Sequence, residues 1–434
     1  MIVDSSSFQR VSRRIEMYEQ EMIRLQIQLC AIPALAPENG GDGEYRKACF
    51  LKDYLGRVGF YDVQEINAPD DRVSDKVRPN LIVRIPGMNS KKTAWVLTHI
   101  DIVPPGEHSL WCENPYRGYV SEGRLFGRGM EDNQQDLVAS LFAVRSILDE
   151  GIVPESSIGL CFVSDEETSS QKGLAYLLAH EFNPFRETDH IVVPDAGDQK
   201  GSFIEISEKS MLWLRFKTIG RQCHGSKPSL GRNAFLAASH LVVKLQELHD
   251  AFNILDPLFD PPESTFQPTR KDANIPNINT IPGEDVFFSD CRILPCYPLE
   301  KILETVRRMA DEIEGRFGVT VDMTPVEKIQ APQPTPSDAP VVFALQCAVQ
   351  EIYGFRPRLA GIGGGTVAAW FRKAGYPAAV WSRLQETAHQ PNENCLIANM
   401  IGNAKVYAHL FLQDNSFTHP SAEKGQSAQN DLRS

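Results

Sequence analysis

The side chains of this 434-residue sequence that could do chemistry gather at the ends of short apolar runs. TAWVLTHID finishes with His99 and Asp101, two positions apart, so in an extended chain both side chains leave one face. A metal-binding imidazole usually gives its other ring N–H to a carboxylate, which this pair could supply; a surface hydrogen bond is the plainer use of the same residues. In GRGMEDNQQD, Gly127, Arg128 and Gly129 form a turn that delivers Asp132 into the first turn of a helix, where the macrodipole favours any carboxylate. CFVSDEE closes another apolar run with Asp165, Glu166 and Glu167. Three adjacent carboxylates beside a buried strand repel one another unless cations compensate, although a solvated acidic loop has the same composition. HIVVPDAGD repeats the arrangement with Asp195 and Asp198. Such His, Asp and Glu clusters without Cys suit a borderline or hard divalent ion in a catalytic site and point to a metal hydrolase.

The elements that must carry these residues alternate between strand and helix. Apolar runs at 80–87, 93–101, 156–167 and 190–197 are separated, in the later part, by helical stretches at 134–150 and 171–182. This order predicts an α/β fold with a mainly parallel, doubly covered sheet, in which ligands sit beyond the carboxyl ends of the strands. Ahead of it, Val11, Ile15, Tyr18, Met22, Leu25 and Leu29 mark one face of a single amphipathic helix over 9–31. A second pattern of strands and helices over 211–329 predicts a smaller α+β domain inserted into the first, which comprises 1–210 and 330–414. Within the insert, the Pro-rich stretch inside 252–273 reads as a long loop, and 415–434 as a flexible tail.

Composition narrows the class. The 44 Lys and Arg against 56 Asp and Glu leave a net charge of -12, which repels phosphate backbones and anionic membrane surfaces. Neither nucleic acid nor a membrane is expected as a partner. The 9 cysteines are scattered without a CxxC pair, as reduced thiols would be, and the N-terminal residues lack a signal-peptide core. A cytoplasmic location is expected.

The motifs THID, GRGMED, SDEET, VVPDAG, CHGSKPSLGRNA, NTIPGEDVFFSDCR and AHQPNE run in order from Thr98 to Glu393. On these the chain resembles the di-zinc amidohydrolase and metallopeptidase family that includes succinyl-diaminopimelate desuccinylase, acetylornithine deacetylase, aminoacylase and glutamate carboxypeptidase. The resemblance implies metal ligands at His99, Asp132, Glu167, Asp195 and His389, with Asp132 bridging two ions and Asp101 orienting His99. It implies that Glu166 is the general base, and that His224 from the inserted lid and dimerisation domain stabilises the oxyanion, in many members across a homodimer interface. Asn279, Arg292 and the loop glycines Gly364 and Gly365 resemble substrate-binding residues. Two divalent metal ions are implied, zinc first, with cobalt or manganese as alternatives.

The expected reaction is hydrolysis of an amide bond in a small carboxylate-bearing substrate, an N-acetyl or N-succinyl amino acid or a short peptide. The same centre would serve a dipeptidase or carboxypeptidase, and pocket shape decides between them. Three departures bear on that choice: NQQD follows Asp132 where many relatives have lysine and glycines, Asp195 stands where several have glutamate, and Val367 replaces an acidic residue. A non-catalytic binding module would have lost Glu166 or a ligand, and none is missing.

Overall fold

The computed structural model describes residues 3–414; the expected tail over 415–434 lies outside them. Two compact units emerge. One runs through Ile206 and is completed by Thr335–Leu359 and the described residues from Trp370; the other is Ser207–Pro334 with Ala360–Ala369.

The first unit is built on an eight-stranded sheet, in the order Val63–Pro69, Val77–Ile85, Ser156–Val163, Asn89–His99, His190–Asp198, Ala378–Arg383, Phe203–Glu208 and Arg358–Ile362. The middle four strands are parallel, and their Val-, Ile- and Leu-rich runs are almost wholly buried, as strands covered on both faces must be. Register decides what meets at the carboxyl end. His99 stands opposite Val163, immediately before the acidic loop, and Val96 opposite Val192, three residues before Asp195. One pair fixes this register sterically. Trp95 lies opposite Gly159, where a Cβ would come within 2.1 Å of the indole ring, so only glycine fits beneath it.

Helices Gln135–Asp149 and Ile397–Leu412 cover the sheet with mostly buried side chains. The single helix expected at 9–31 is two, Ser5–Met17 and Glu19–Cys30, because Tyr18 sits at φ -86° and ψ 0° and its N–H is shared by the carbonyls of Arg14 and Ile15. The predicted apolar face survives the break, with Val11, Ile15, Met22, Leu25 and Leu29 buried.

The second unit is an antiparallel sheet of Thr265–Lys271, Glu284–Ile293, Ser210–Ile219 and Thr320–Ile329. Its core joins Leu212, Leu214 and Phe216 to Leu241 of helix Ala234–Lys244 and to Ile302 and Val306 of helix Leu299–Phe317. The stretch read as a long loop over 252–273 contains a strand. Thr265–Lys271 pairs with Glu284–Ile293 and buries Phe266, and its Pro268 is accommodated at a register shift. The Gly-rich loop, expected in the first domain, packs with this unit instead: Gly361 donates its N–H to the Leu258 carbonyl and Thr366 donates to Glu208.

Candidate metal centre

The carboxyl ends of three neighbouring strands bring His99, the acidic loop and Asp195 together, and two further segments complete the site. His99 Nε2 lies 2.9 Å from Asp132 Oδ1 and 3.7 Å from Asp195 Oδ1. On the other side of Asp132, Oδ2 lies 3.0 Å from His389 Nε2, which is 3.1 Å from Glu167 Oε2. Two groups able to hold a metal ion therefore share one residue: His99, Asp132 and Asp195, and Asp132, Glu167 and His389. Each Asp132 oxygen faces one group, the disposition a bridging carboxylate needs. An imidazole with two carboxylates and no thiolate in each group fits a borderline or hard divalent ion.

Electrostatics supports that fit. Burial and the charge of Asp132 push Glu167 up to about 7 and Asp195 up to about 6. Burial, then the charge of Asp195, raises Glu166 well above the carboxylate range. Hydrogen bonds to Asp132 and Glu167 raise His389 to about 10. Burial opposes a charged His99, yet Asp101 and Asp132 raise it well above its ordinary value. Carboxylates crowded so closely carry a repulsion that divalent cations offset. His99 is 1% exposed and the His389 side chain 55%, so one edge of the site is open to solvent.

Asp101 meets both His99 and the acidic loop. Its carbonyl oxygen is 3.1 Å from His99 Nδ1, while its carboxylate, 3.5 Å from that nitrogen, accepts the backbone N–H groups of Glu166 at 3.2 Å and Glu167 at 3.0 Å. The three consecutive acids also part ways. Asp165, at φ 62°, turns inward, where it accepts from Ser169 Oγ at 2.8 Å and from the Lys172 N–H at 2.9 Å, and lies 3.7 Å from Arg78. Glu166 and Glu167 are thereby left facing the site.

Asp132 is not in the first turn of a helix, as the sequence had suggested. Its φ of -111° and ψ of 95° are non-helical, and the regular helix starts at Gln135. The helix dipole is replaced as an anchor by the buried carboxylate of Glu393, which accepts the N–H groups of Gly129, Glu131 and Asp132. Asn133 adds a bond from its Nδ2 to the Pro194 carbonyl at 2.6 Å, tying this segment to the one bearing Asp195.

Sequence reasoning missed Glu44, Arg78 and Glu131 and read Glu393 only as the end of AHQPNE. A charged residue that is wholly buried was the available signal, but a lone sequence does not reveal burial in a non-periodic segment.

The remaining expected site residues belong to the second unit. His224 is exposed, with Nδ1 2.8 Å from Ser226 Oγ. It neighbours Asn279, whose carbonyl accepts the Gly225 N–H at 2.6 Å. Arg292 grips Asp290 through Nε at 2.8 Å and Nη2 at 3.1 Å, and Nη1 donates to the Gly363 carbonyl at 3.0 Å. A Cβ at Gly364 would meet nothing, and one at Gly365 would touch only Glu208 Oε2 at 3.6 Å. The Thr366 N–H, at the entry to helix Ala368–Lys373, is already held by Glu208 at 2.9 Å.

Comparison with known proteins shows the family. The family model for peptidase family M20/M25/M40 matches residues 95–413. An uncharacterized metallohydrolase of Methanocaldococcus jannaschii is 37% identical over 402 residues, covering 89% of this chain and 98% of its own. The succinyl-diaminopimelate desuccinylase of Paracoccus denitrificans is 27% identical over 399 residues, covering 89% and 96%. Among solved structures, an M20 family metallo-carboxypeptidase from Sulfolobus solfataricus shares the fold, with a TM-score of 0.68 over 90% of this chain and 99% of that one at 20% identity. The chain belongs to peptidase family M20/M25/M40 and is a metallohydrolase of that family.

Proposed function

We propose that this protein hydrolyses the amide bond of a small carboxylate-bearing substrate, an N-acyl amino acid or short peptide, with His99, Asp132 and Asp195 holding one divalent ion and Asp132, Glu167 and His389 a second. The carrying observation is the shared carboxylate of Asp132, with His99 2.9 Å from one oxygen and His389 3.0 Å from the other. Zinc is the first candidate, with cobalt or manganese as substitutes. When bound, two such ions polarise a scissile carbonyl and make water a nucleophile near neutral pH.

Glu166 has no place in either ligand group and sits beside Glu167 at the site, with its backbone held by Asp101. It is the general base in this reading: it takes the proton of the attacking water and delivers it to the leaving nitrogen. His224 is assigned to the oxyanion, and Asn279, Arg292, Gly364 and Gly365 to the substrate. Arg292 presents a planar guanidinium suited to a carboxylate, although Asp290 already takes two of its donors. A homodimer formed through the inserted unit, in the cytoplasm and without nucleic acid or membrane as partner, completes the reading. Among the described residues no helix is long and apolar enough to cross a membrane.

The test is hydrolysis of N-acetyl and N-succinyl amino acids and dipeptides by protein stripped with chelator and refilled with zinc, cobalt or manganese. Activity that disappears and returns with metal supports the reading, and the ranking of substrates separates deacylase from dipeptidase. Two bound ions with no turnover on any amide would overturn it.

A further inference from the structure

The segments that bring Asp132 and His389 to the site are held to each other by two buried carboxylates, one from each side. Glu131, the residue before Asp132 and 1% exposed, reaches into the loop that carries His389. It accepts the Thr387 N–H at 2.5 Å, the Thr387 hydroxyl at 2.9 Å and the Gln385 N–H. Glu393, four residues after His389 and 0% exposed, reaches back. It accepts the N–H groups of Gly129 at 3.1 Å, Glu131 at 2.9 Å and Asp132 at 3.0 Å, and a bond from Arg128 Nη1 at 2.5 Å. At Asp132 the backbone is non-helical, and 384–393 lies outside helix and strand, with the Gly127 N–H reaching the Glu393 carbonyl at 3.0 Å. Both Glu386 and His389 sit at φ 62°, a backbone conformation that L-residues rarely adopt and that persists only where surroundings impose it.

We propose that Glu131 and Glu393 form a reciprocal brace whose task is to set Asp132 and His389 against each other, so that both are positioning residues for the metal groups. The inference rests on the ligand assignment above. It makes an asymmetric prediction, because the two carboxylates hold different things. Glu131 fastens only the His389 loop, which serves the group of Asp132, Glu167 and His389. Glu393 fastens the backbone of Asp132, which both groups share.

Replacing Glu131 by Gln keeps its size but puts an amide NH2 where backbone N–H groups need an acceptor. Groups that orient metal ligands typically change metal affinity by about 10- to 100-fold when removed. In E131Q, one of two zinc equivalents should therefore weaken by about that factor while the other is retained; in E393Q both should weaken. Thr387→Val removes the hydroxyl that meets Glu131, together with its bonds to the carbonyl and N–H of Asn394, leaves the backbone donors to Glu131 in place, and should weaken the same single equivalent; it serves if E131Q does not fold.

The experiment is competition between the full-length chain and a chromogenic chelator for zinc, with H389A and D195A measured alongside and each combined with E131Q or T387V. E131Q should add little to H389A, which has already lost that group, and should add its full effect to D195A. Thermal melts of the metal-stripped variants separate a general loss of stability from a site-selective loss of affinity. Wild-type protein that binds fewer than two zinc ions would overturn the ligand assignment itself. Two ions bound, with both affinities unchanged or equally lowered in E131Q and T387V, would overturn the brace and leave that assignment standing.

Discussion

The guanidinium of Arg78 is paired through Nε and Nη2 with the two carboxylate oxygens of Glu44, and neither side chain is exposed to solvent. The same Glu44 accepts the N–H of Asp165 at 3.3 Å, so the pair forms the floor under the acidic loop. Removing Arg78 strands the Glu44 carboxylate in the interior, a loss of about 3–5 kcal/mol, whereas without Glu44 the guanidinium still has Asp70 at 3.4 Å and Asp165 at 3.7 Å. Arg78→Ala should destabilise by that amount and Glu44→Ala by less, and a combined change to apolar residues of similar volume should cost less than Arg78→Ala alone. Urea unfolding reads this; additive losses would refute the pairing.

Glu166 carries the proton in the proposed reaction. Glu166→Gln should lower kcat by about 100- to 10,000-fold with both metal ions still bound. Near-normal turnover by a two-metal E166Q protein would reassign the base.

Asp132 serves two groups at once. Asp132→Ala should hold fewer than two ions per chain, measured by elemental analysis after dialysis. Chelation should lower the melting temperature of the wild type, because ligands that bind only the folded state stabilise it, and should lower that of Asp132→Ala less. An equal shift in both would argue against the shared role.

His190 is 4% exposed on the strand that carries Asp195, and burial holds its ring down to about 4. Between pH 6.5 and about 4 the unfolded chain therefore binds a proton that the folded chain refuses, so stability falls as pH drops through that window. The loss approaches about 3 kcal/mol, at roughly 1.4 kcal/mol per pKa unit. His190→Leu should lack this contribution, so its denaturation midpoint should gain on the wild type as the solution is acidified. Parallel curves from pH 7 to pH 4 would disprove it.

Gly159 lies under the indole of Trp95, with no space for a methyl group. Gly159→Ala should cost about 1–3 kcal/mol by overpacking. It should also lower metal affinity, because the strand displaced ends at His99 and its neighbour leads to Glu166 and Glu167. Stability and zinc binding both unchanged would show that the pair does not set the register.

Much of the catalytic unit was legible because its strands are buried on both faces and read as uninterrupted apolar runs. His99, Glu166, Glu167 and Asp195 follow such runs directly. Elements set by distant contacts were hidden. The strand Thr265–Lys271 carries a proline and buries Phe266 alone among its residues. Asp132 looked like a helix-start carboxylate because helical residues follow it closely, and Glu393, some 260 positions later, helps hold it outside the helix. Glu44 and Arg78 lie 34 residues apart in segments with no shared period.

The Gly-rich loop that packs with the second unit has a bearing on how this protein can be cut and recombined. Because Ala360–Ala369 supplies Gly361 against Phe259 and Thr366 against Glu208, the unit is assembled from two stretches of chain. A cassette excised at Ser207 and Pro334 would leave Glu208 without its backbone donor and Phe259 without its cover. A chimera that exchanges this module between relatives has to carry both stretches, and so has four splice points to satisfy instead of two.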